Sequence, residues 1–406
     1  MSDLKDHKTI GQELELFFTN DIAPGAPFWL PKGMVIFKEL EKYIRGLTEK
    51  AGYLETSTPI MVKSELFKES GHWAKFGAQN MYNLPLSDEA DDSKPVSYTL
   101  KPMNCPESTI LYSFRPRSYK ELPLRLSEIG RLHRREQSGE VNGLLRVRQI
   151  TMDDAHIYAT EDQIFDEVSS ILDMMVNFYK LFGFEYDFRL ATRPETKAGT
   201  DEMWNKAEKA LSDVLSKKGI KAGDKLGDGA FYGPKIDVHI KDSQGREWQL
   251  ATVQLDFHQP EAFKLEYIDD EGKAQRPVMI HRAIFGSFER FIAILTEQYQ
   301  GAFPTWLSPV QVQIIPIADR HLEYAQNVLE QLKSANIRVE VDSRAEKMQG
   351  KIRDAQMQKI PYMLVVGDRE EENKKVAVRK RDGSDLGAIE VSKLLEIIKT
   401  DIDSKA

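Results

Sequence analysis

The stretch GAFPTWLSPV, residues 301–310, cannot continue the helix that leads into it. Gly301, Pro304 and Pro309 interrupt an apolar helical pattern that runs through Phe288, Phe291, Ile292 and Leu295. Proline removes a backbone donor, and its ring clashes with the preceding turn. The break divides the chain into parts of roughly 300 and roughly 100 residues, sizes that each allow a core. The expected domains are 1–305 and 306–406.

The shorter part alternates apolar runs with amphipathic ones. VQVQIIPI (310–317), IRVEVD (337–342), PYMLVVG (361–367) and KKVAVRKR (374–381) read as strands, and residues 323–336 and 351–360 as helices. This βαβαβ order predicts a small, mostly parallel α/β domain. It carries no visible chemistry and reads as a binding module. The larger part predicts helices at 31–51, 161–182 and 201–218, and strands at 124–136, 145–158, 231–240, 246–257 and 276–281. Strands grouped apart from helices indicate an α+β fold with an antiparallel sheet. The acidic run SDEADDSK (87–94) reads as an exposed loop.

Charge is distributed unevenly. The net charge is −8. From Ser308 onward there are 17 Lys and Arg against 17 Asp and Glu, leaving 39 against 47 in residues 1–307. Within the neutral tail, Arg344 to Arg381 holds 11 basic and 6 acidic residues. That excess suits a nucleic-acid face, and a solvated charged surface equally well. No apolar run approaches the roughly 18–20 residues that span a bilayer. The polar, mixed-charge start, MSDLKDHKTIGQ, has neither a signal-peptide nor a transit-peptide pattern. One cysteine excludes an internal disulfide, and a reducing cytoplasmic setting is expected.

Chemistry concentrates in SEIGRLHRREQSGEVNGLLRVRQITMDDAHIY, residues 127–158, which reads as a long hairpin turning at QSGEVNG. Strand alternation puts Arg146, Arg148, Ile150, Met152, Asp154 and His156 on one face. Two cations at one end and an Asp/His pair at the other suit a groove for a ligand that is anionic at one end. A solvated strand face also accommodates the pattern. Arg134 and Glu136 on the opposing strand add a cation and an acceptor. In RPVMIHRAIFGSFERFIAILTEQY (276–299) a strand ends at His281 and a helix begins near Gly286, with Arg290 off its buried stripe. An arginine there suits a phosphate tail. GDGAFYGPKIDVHI pairs Tyr232 with Lys235, and WQLATVQLDF puts Thr252 and Gln254 on one face.

The single thiol, Cys105, sits in TLKPMNCPES between Pro102 and Pro106. No nucleophile triad, phosphate-cradling loop or HExxH pattern accompanies it. Spacing leaves two readings open: a structural buried thiol, or a metal ligand with His156 and His281.

Taken together, Thr58-Pro59 after a long helix, Arg134-x-Glu136 in a strand–loop–strand, and GSFER ending in Arg290 resemble the three signature motifs of class II aminoacyl-tRNA synthetases. KPMNCP, DDAH, GAFYGPK, TVQLDF and PVMIHRA resemble the threonyl-tRNA synthetase family specifically, and the likeness extends along essentially the whole chain. It implies ATP-dependent activation of L-threonine and transfer to the 3′ end of tRNA(Thr), with one Zn2+ per chain held by Cys105, His156 and His281, and Mg2+ accompanying ATP. It implies Arg134 on the α-phosphate and substrate carboxylate, Arg146 and Arg290 on the ATP tail, Glu136 on adenine, and Ile150 beside it. Asp154 would take the substrate ammonium near Tyr232, with Thr252, Gln254, Lys235 and Met103 lining the pocket. Glu370, Arg379, Arg353 and Lys359 would meet the anticodon, and the segment around Thr58-Pro59 would form a homodimer.

The resemblance has departures. The family strand reads F-T-Q-D-D-A-H where this chain has Ile150 and Met152, which implies altered ATP or threonine affinity. Ala345 stands where relatives have Asn, which implies one base contact fewer at the anticodon. The chain begins almost at the core, without the N-terminal domains that clear seryl-tRNA. Serine mischarging and editing in trans are therefore expected. The alternative is a paralogue that senses threonine or tRNA without charging; a seryl or prolyl specificity fits the Cys/His/His set less well.

Overall fold

The structure is a computed structural model. It describes residues 4–88 and 91–405, and of 86–88 and 91–95 only the backbone course. Its contacts divide into two compact units. One comprises residues 21–26 and 41–291, and the other 1–20, 27–40 and 292–406.

The larger unit is built on an eight-stranded sheet. In chain order its strands are β1 (Leu54–Glu55), β2 (Leu124–His133), β3 (Gln149–Ala159), β4 (Tyr186–Ala191), β5 (Ala222–Lys225), β6 (Lys235–Lys241), β7 (Glu247–Asp256) and β8 (Val278–Ser287). Their order across the sheet is β5-β4-β6-β7-β8-β3-β2-β1. The six central strands pair antiparallel, and only the edge strands β5 and β1 run parallel to their neighbours. Three helices of this unit matter below: α1 (Cys105–Ser113), α2 (Ile164–Leu181) and α3 (Asp201–Lys217). The α2 helix buries Val168, Ile171, Leu172, Met175 and Phe178 at helical spacing, and Phe178 stacks on Phe285 of β8 at 5.4 Å. This apolar layer backs one sheet face and leaves the other for polar side chains.

The second unit carries a five-stranded sheet of β9 (Val312–Pro316), β10 (Val339–Val341), β11 (Tyr362–Val366), β12 (Lys375–Lys380) and β13 (Asp385–Glu390), ordered β10-β9-β11-β12-β13. Helices Leu322–Ser334 and Val391–Ser404 bury Val328, Leu332, Leu394 and Ile398 against it. The expectation of a mostly parallel sheet needs correction. β10, β9 and β11 are parallel, but β11/β12 and β12/β13 are antiparallel. Only the first three strands are joined by long helical crossovers; the short links that follow return the chain in the opposite direction.

Three local expectations also change. Residues 87–88 and 91–94 continue the two strands Tyr82–Asp88 and Asp91–Leu100 rather than forming a loop; Glu89 and Ala90 lie outside the described residues. The strand expected at 145–158 begins only at Gln149, because Arg146 closes a turn onto Asn142. The strand expected to end at 281 runs to Ser287, and the helix starts at Phe288.

Candidate active site

Register across β6, β7, β8 and β3 assembles the polar face as a grid. One rung aligns Asp237, Thr252, Ala283 and Asp154. The next aligns Lys235, Gln254, His281 and His156. Cross-strand partners and residues two apart share a face, so residues scattered over more than a hundred positions meet on one surface.

A hydrogen-bonded chain runs along this surface. Tyr232 donates to Gln254 Oε1 at 2.6 Å, and Gln254 Nε2 donates to Thr252 Oγ1 at 3.2 Å. Thr252 donates to Asp237 at 2.8 Å, and Lys235 Nζ donates to the other Asp237 oxygen at 2.6 Å. Tyr232, Gln254, Thr252 and Lys235 are thus brought together, and Asp237 is the member that the motifs did not single out.

A cavity of about 270 Å³ is lined by Arg134, Glu136, Arg146, Ile150, Met152, Thr252 and Arg290, among others. Arg146 enters it from the turn before β3 and pairs with Glu136 at 2.7 Å. Val147 also lines it, so the alternation expected from residue 145 holds only from Gln149. Arg134 donates to Pro102 O at 3.1 Å, and Arg290 donates to Leu145 O at 2.9 Å. Burial lowers the Arg290 pKa first, and repulsion from Arg134 and Arg146 adds to it. Three guanidinium groups crowded into one cavity call for an anionic ligand. The floor is a bulge in β8: Gly286 has φ +78, and a Cβ there would meet Leu250 O at 2.9 Å.

Beside Asp154, the ligand atoms of Cys105, His156 and His281 all lie within 4.8 Å of one another, and all three residues are buried. Cys105 opens α1, with Pro106 in the first turn fixing its start. Burial holds His156 neutral by lowering its pKa, and neutral imidazole is the form that binds a metal. Burial pushes the Cys105 thiol up, so the thiolate needs a cation to form. A soft thiolate with two imidazoles suits zinc, and three protein ligands leave one position open. Among the described residues this is the one such cluster.

Sequence reasoning missed three neighbours. His72 Nε2 lies 3.6 Å from Cys105 Sγ, stabilised as neutral by burial, which takes its pKa to about 3. It has no spacing motif. Asn104 Nδ2 donates to Asp154 at 3.0 Å and sits over Gly130, where a Cβ would come within 2.4 Å. Asp256 accepts from His281 at 2.9 Å. The alternation that grouped Thr252 with Gln254 extends to it. Met103 is half-buried and packs in the apolar cluster of Cys105, Tyr112 and Leu265.

In the second unit Arg353, Lys359 and Arg379 are exposed, and Glu370 is half-buried, accepting from Gly367 N at 3.0 Å. A separate groove of about 490 Å³ is lined instead by Asp342, Arg344, Lys351 and Asp354. No helix among the described residues is long and apolar enough to cross a membrane.

Residues 87–299 match the class II tRNA synthetase core domain (G, H, P, S and T), and residues 311–401 match the anticodon binding domain. Threonine–tRNA ligase of Desulforamulus reducens is 51% identical over 401 residues, which are 99% of this chain and 62% of that protein. The same-named protein of Caldanaerobacter subterraneus subsp. tengcongensis is 50% identical over 99% of this chain and 61% of its own length. The chain therefore spans about three-fifths of the length of these curated relatives. A crystal structure described as the RNA binding domain of threonyl-tRNA synthetase from Cryptosporidium parvum Iowa II superposes with TM-score 0.93 at 39% identity, over 98% of each chain. With the class II core matched over about half of the chain, and 39% identity to a threonyl-tRNA synthetase structure over 98% of each chain, this chain belongs to the threonyl-tRNA synthetase family.

Proposed function

We propose that this chain activates L-threonine with ATP and transfers it to the 3′ end of tRNA(Thr). The observation that carries the reading is the adjacency of two sites on one sheet face: a cavity with three arginines, and a buried Cys/His/His cluster beside Asp154.

In this reading Arg134 holds the α-phosphate and the substrate carboxylate where attack occurs. Arg290 and Arg146 take the ATP tail with its Mg2+, and Glu136 reads adenine beside Ile150. Asp154 accepts from the substrate ammonium near Tyr232, with Thr252, Gln254, Lys235 and Met103 around it. Both chemical steps depend on positioning and charge stabilisation rather than on a protein nucleophile. Cys105, His156 and His281 would hold a zinc ion, which supplies a Lewis-acid position that a hydroxyl-bearing side chain can fill and valine cannot. A merely apolar pocket separates the two amino acids by only about 10²-fold.

The second unit, with Glu370, Arg379, Arg353 and Lys359, would meet the anticodon. The boundaries proposed for the two functions are 1–305 and 306–406. Pairing of two chains near Thr58-Pro59 and a cytoplasmic setting complete the reading.

Threonine-dependent ATP–pyrophosphate exchange tests it. Exchange that a zinc chelator abolishes and added zinc restores is the expected result. Threonine binding without exchange would replace this reading by that of a threonine sensor.

A further inference from the structure

Asp256 is fully buried at the end of β7, and all its acceptor capacity is engaged. One oxygen accepts the backbone N–H of His258 at 2.7 Å and of Gln259 at 2.9 Å. The other accepts Gln259 Nε2 at 3.0 Å and lies 2.9 Å from His281 Nε2. A carboxylate offers about four lone-pair sites, so Asp256 has none left for a metal. It belongs outside the ligand set, as the acceptor for a ligand's second nitrogen.

A carboxylate facing Nε2 requires the His281 proton there. The ring plane is fixed as well, because Tyr232 stacks on it at 4.8 Å and 25°. Gln259 is itself fully buried, and it holds Asp256 twice, through its backbone N–H and through its side-chain amide.

We infer that Asp256 and Gln259 are positioning residues for the metal centre. Asp256 locks His281 in the Nε2–H tautomer, leaving Nδ1 as its ligand nitrogen, and Gln259 holds that carboxylate in place from behind. The inference rests on the zinc reading above. Partners of this kind orient ligands and raise their basicity, and losing one typically weakens metal affinity 10–100-fold.

The test is zinc affinity of the purified full chain, measured by competition with a chelator of known zinc affinity. Wild type is expected to bind one zinc. Asp256→Ala and Asp256→Asn are expected to bind it 10–100-fold more weakly, and Gln259→Met to fall between them and wild type. Asp256→Asn preserves the size of the side chain, so the comparison stands if Asp256→Ala does not fold. A readout that simple destabilisation would not move is the long-range 1H–15N spectrum of folded, zinc-free chain, with His281→Gln assigning the signal. His281 is expected to carry its proton on Nε2 in wild type and to lose that preference in Asp256→Asn. Unchanged zinc affinity in Asp256→Asn, or a wild-type His281 protonated on Nδ1, overturns the inference. A wild-type chain that binds no zinc overturns it differently, because the zinc reading then fails first.

Discussion

The Asn104 side chain donates to Asp154 across 50 positions of sequence, at 3.0 Å. This bond joins the segment that presents Cys105 to the strand that presents His156. Asp154 has its pKa raised by burial, and the Asn104 amide is the first influence opposing that rise. Asn104→Ala should therefore weaken the contact proposed between Asp154 and the substrate ammonium. A hydrogen bond to a charged group contributes about 1.5–3 kcal/mol, so kcat/KM for threonine should fall by ~10–100-fold. Gly130→Ala, which fills the space of the Asn104 amide, should produce the same defect with intact Asn104. Exchange kinetics against threonine concentration check both.

Lys101 and Glu128 form a buried ion pair at 2.8 Å, and Thr58 donates to the same carboxylate at 3.0 Å. Removing one partner leaves the other charge buried and alone, which costs about 3–5 kcal/mol. Lys101→Met should lower the thermal midpoint sharply. Lys101→Met with Glu128→Gln should recover part of the loss. Circular dichroism melts of the two variants provide the comparison, and equal midpoints for single and double variants would contradict it.

Burial raises the carboxyl of Glu289 from 4.5 to about 7, and that of Asp153 from 3.8 to about 7. Glu289 accepts Thr151 N at 2.9 Å, and Asp153 accepts Ile284 N at 2.7 Å. Each holds its proton more firmly folded than unfolded. Their contribution is complete below about pH 4 and is lost as pH rises through about 7. The thermal midpoint should decline between pH 5 and pH 7.5 on this account, and Glu289→Gln should make the decline shallower. An unchanged slope in that variant would refute the assignment.

Met152 and Ile150 both line the cavity that holds Arg134 and Arg290. Met152→Gln restores the amide that the family pattern carries and should lower the threonine KM. Unchanged KM values for threonine and ATP would show that position 152 does not touch either ligand.

Long periodic helices were legible in the sequence. The helix expected at 201–218 spans Asp201–Lys217, with Thr200 capping it through Met203 N. The β7 strand was legible too, because alternation alone groups Thr252 with Gln254. The end of β8 was not. AIFGS resembles the approach to a helix, and it stays extended because the Asp153 carboxylate binds the backbone N–H of Ile284 and Gly286 from the neighbouring strand. Asp385–Glu390 escaped for a different reason: DLGAIE lacks alternation, and its six residues are intermediate or exposed at the sheet edge. His72 reaches Cys105 through tertiary packing alone, so no local pattern could announce it. Cys105 itself stayed ambiguous by spacing, and only the register of β3 with β8, which aligns His156 with His281, brings its partners to it.

The central claim is that Cys105, His156 and His281 hold one metal ion that reads the amino acid. Native mass spectrometry of the zinc-loaded chain tests it most directly, comparing wild type with Cys105→Ala. The account predicts one zinc per wild-type chain and none retained by the variant. Equal zinc occupancy in both would contradict it and return Cys105 to a buried structural thiol.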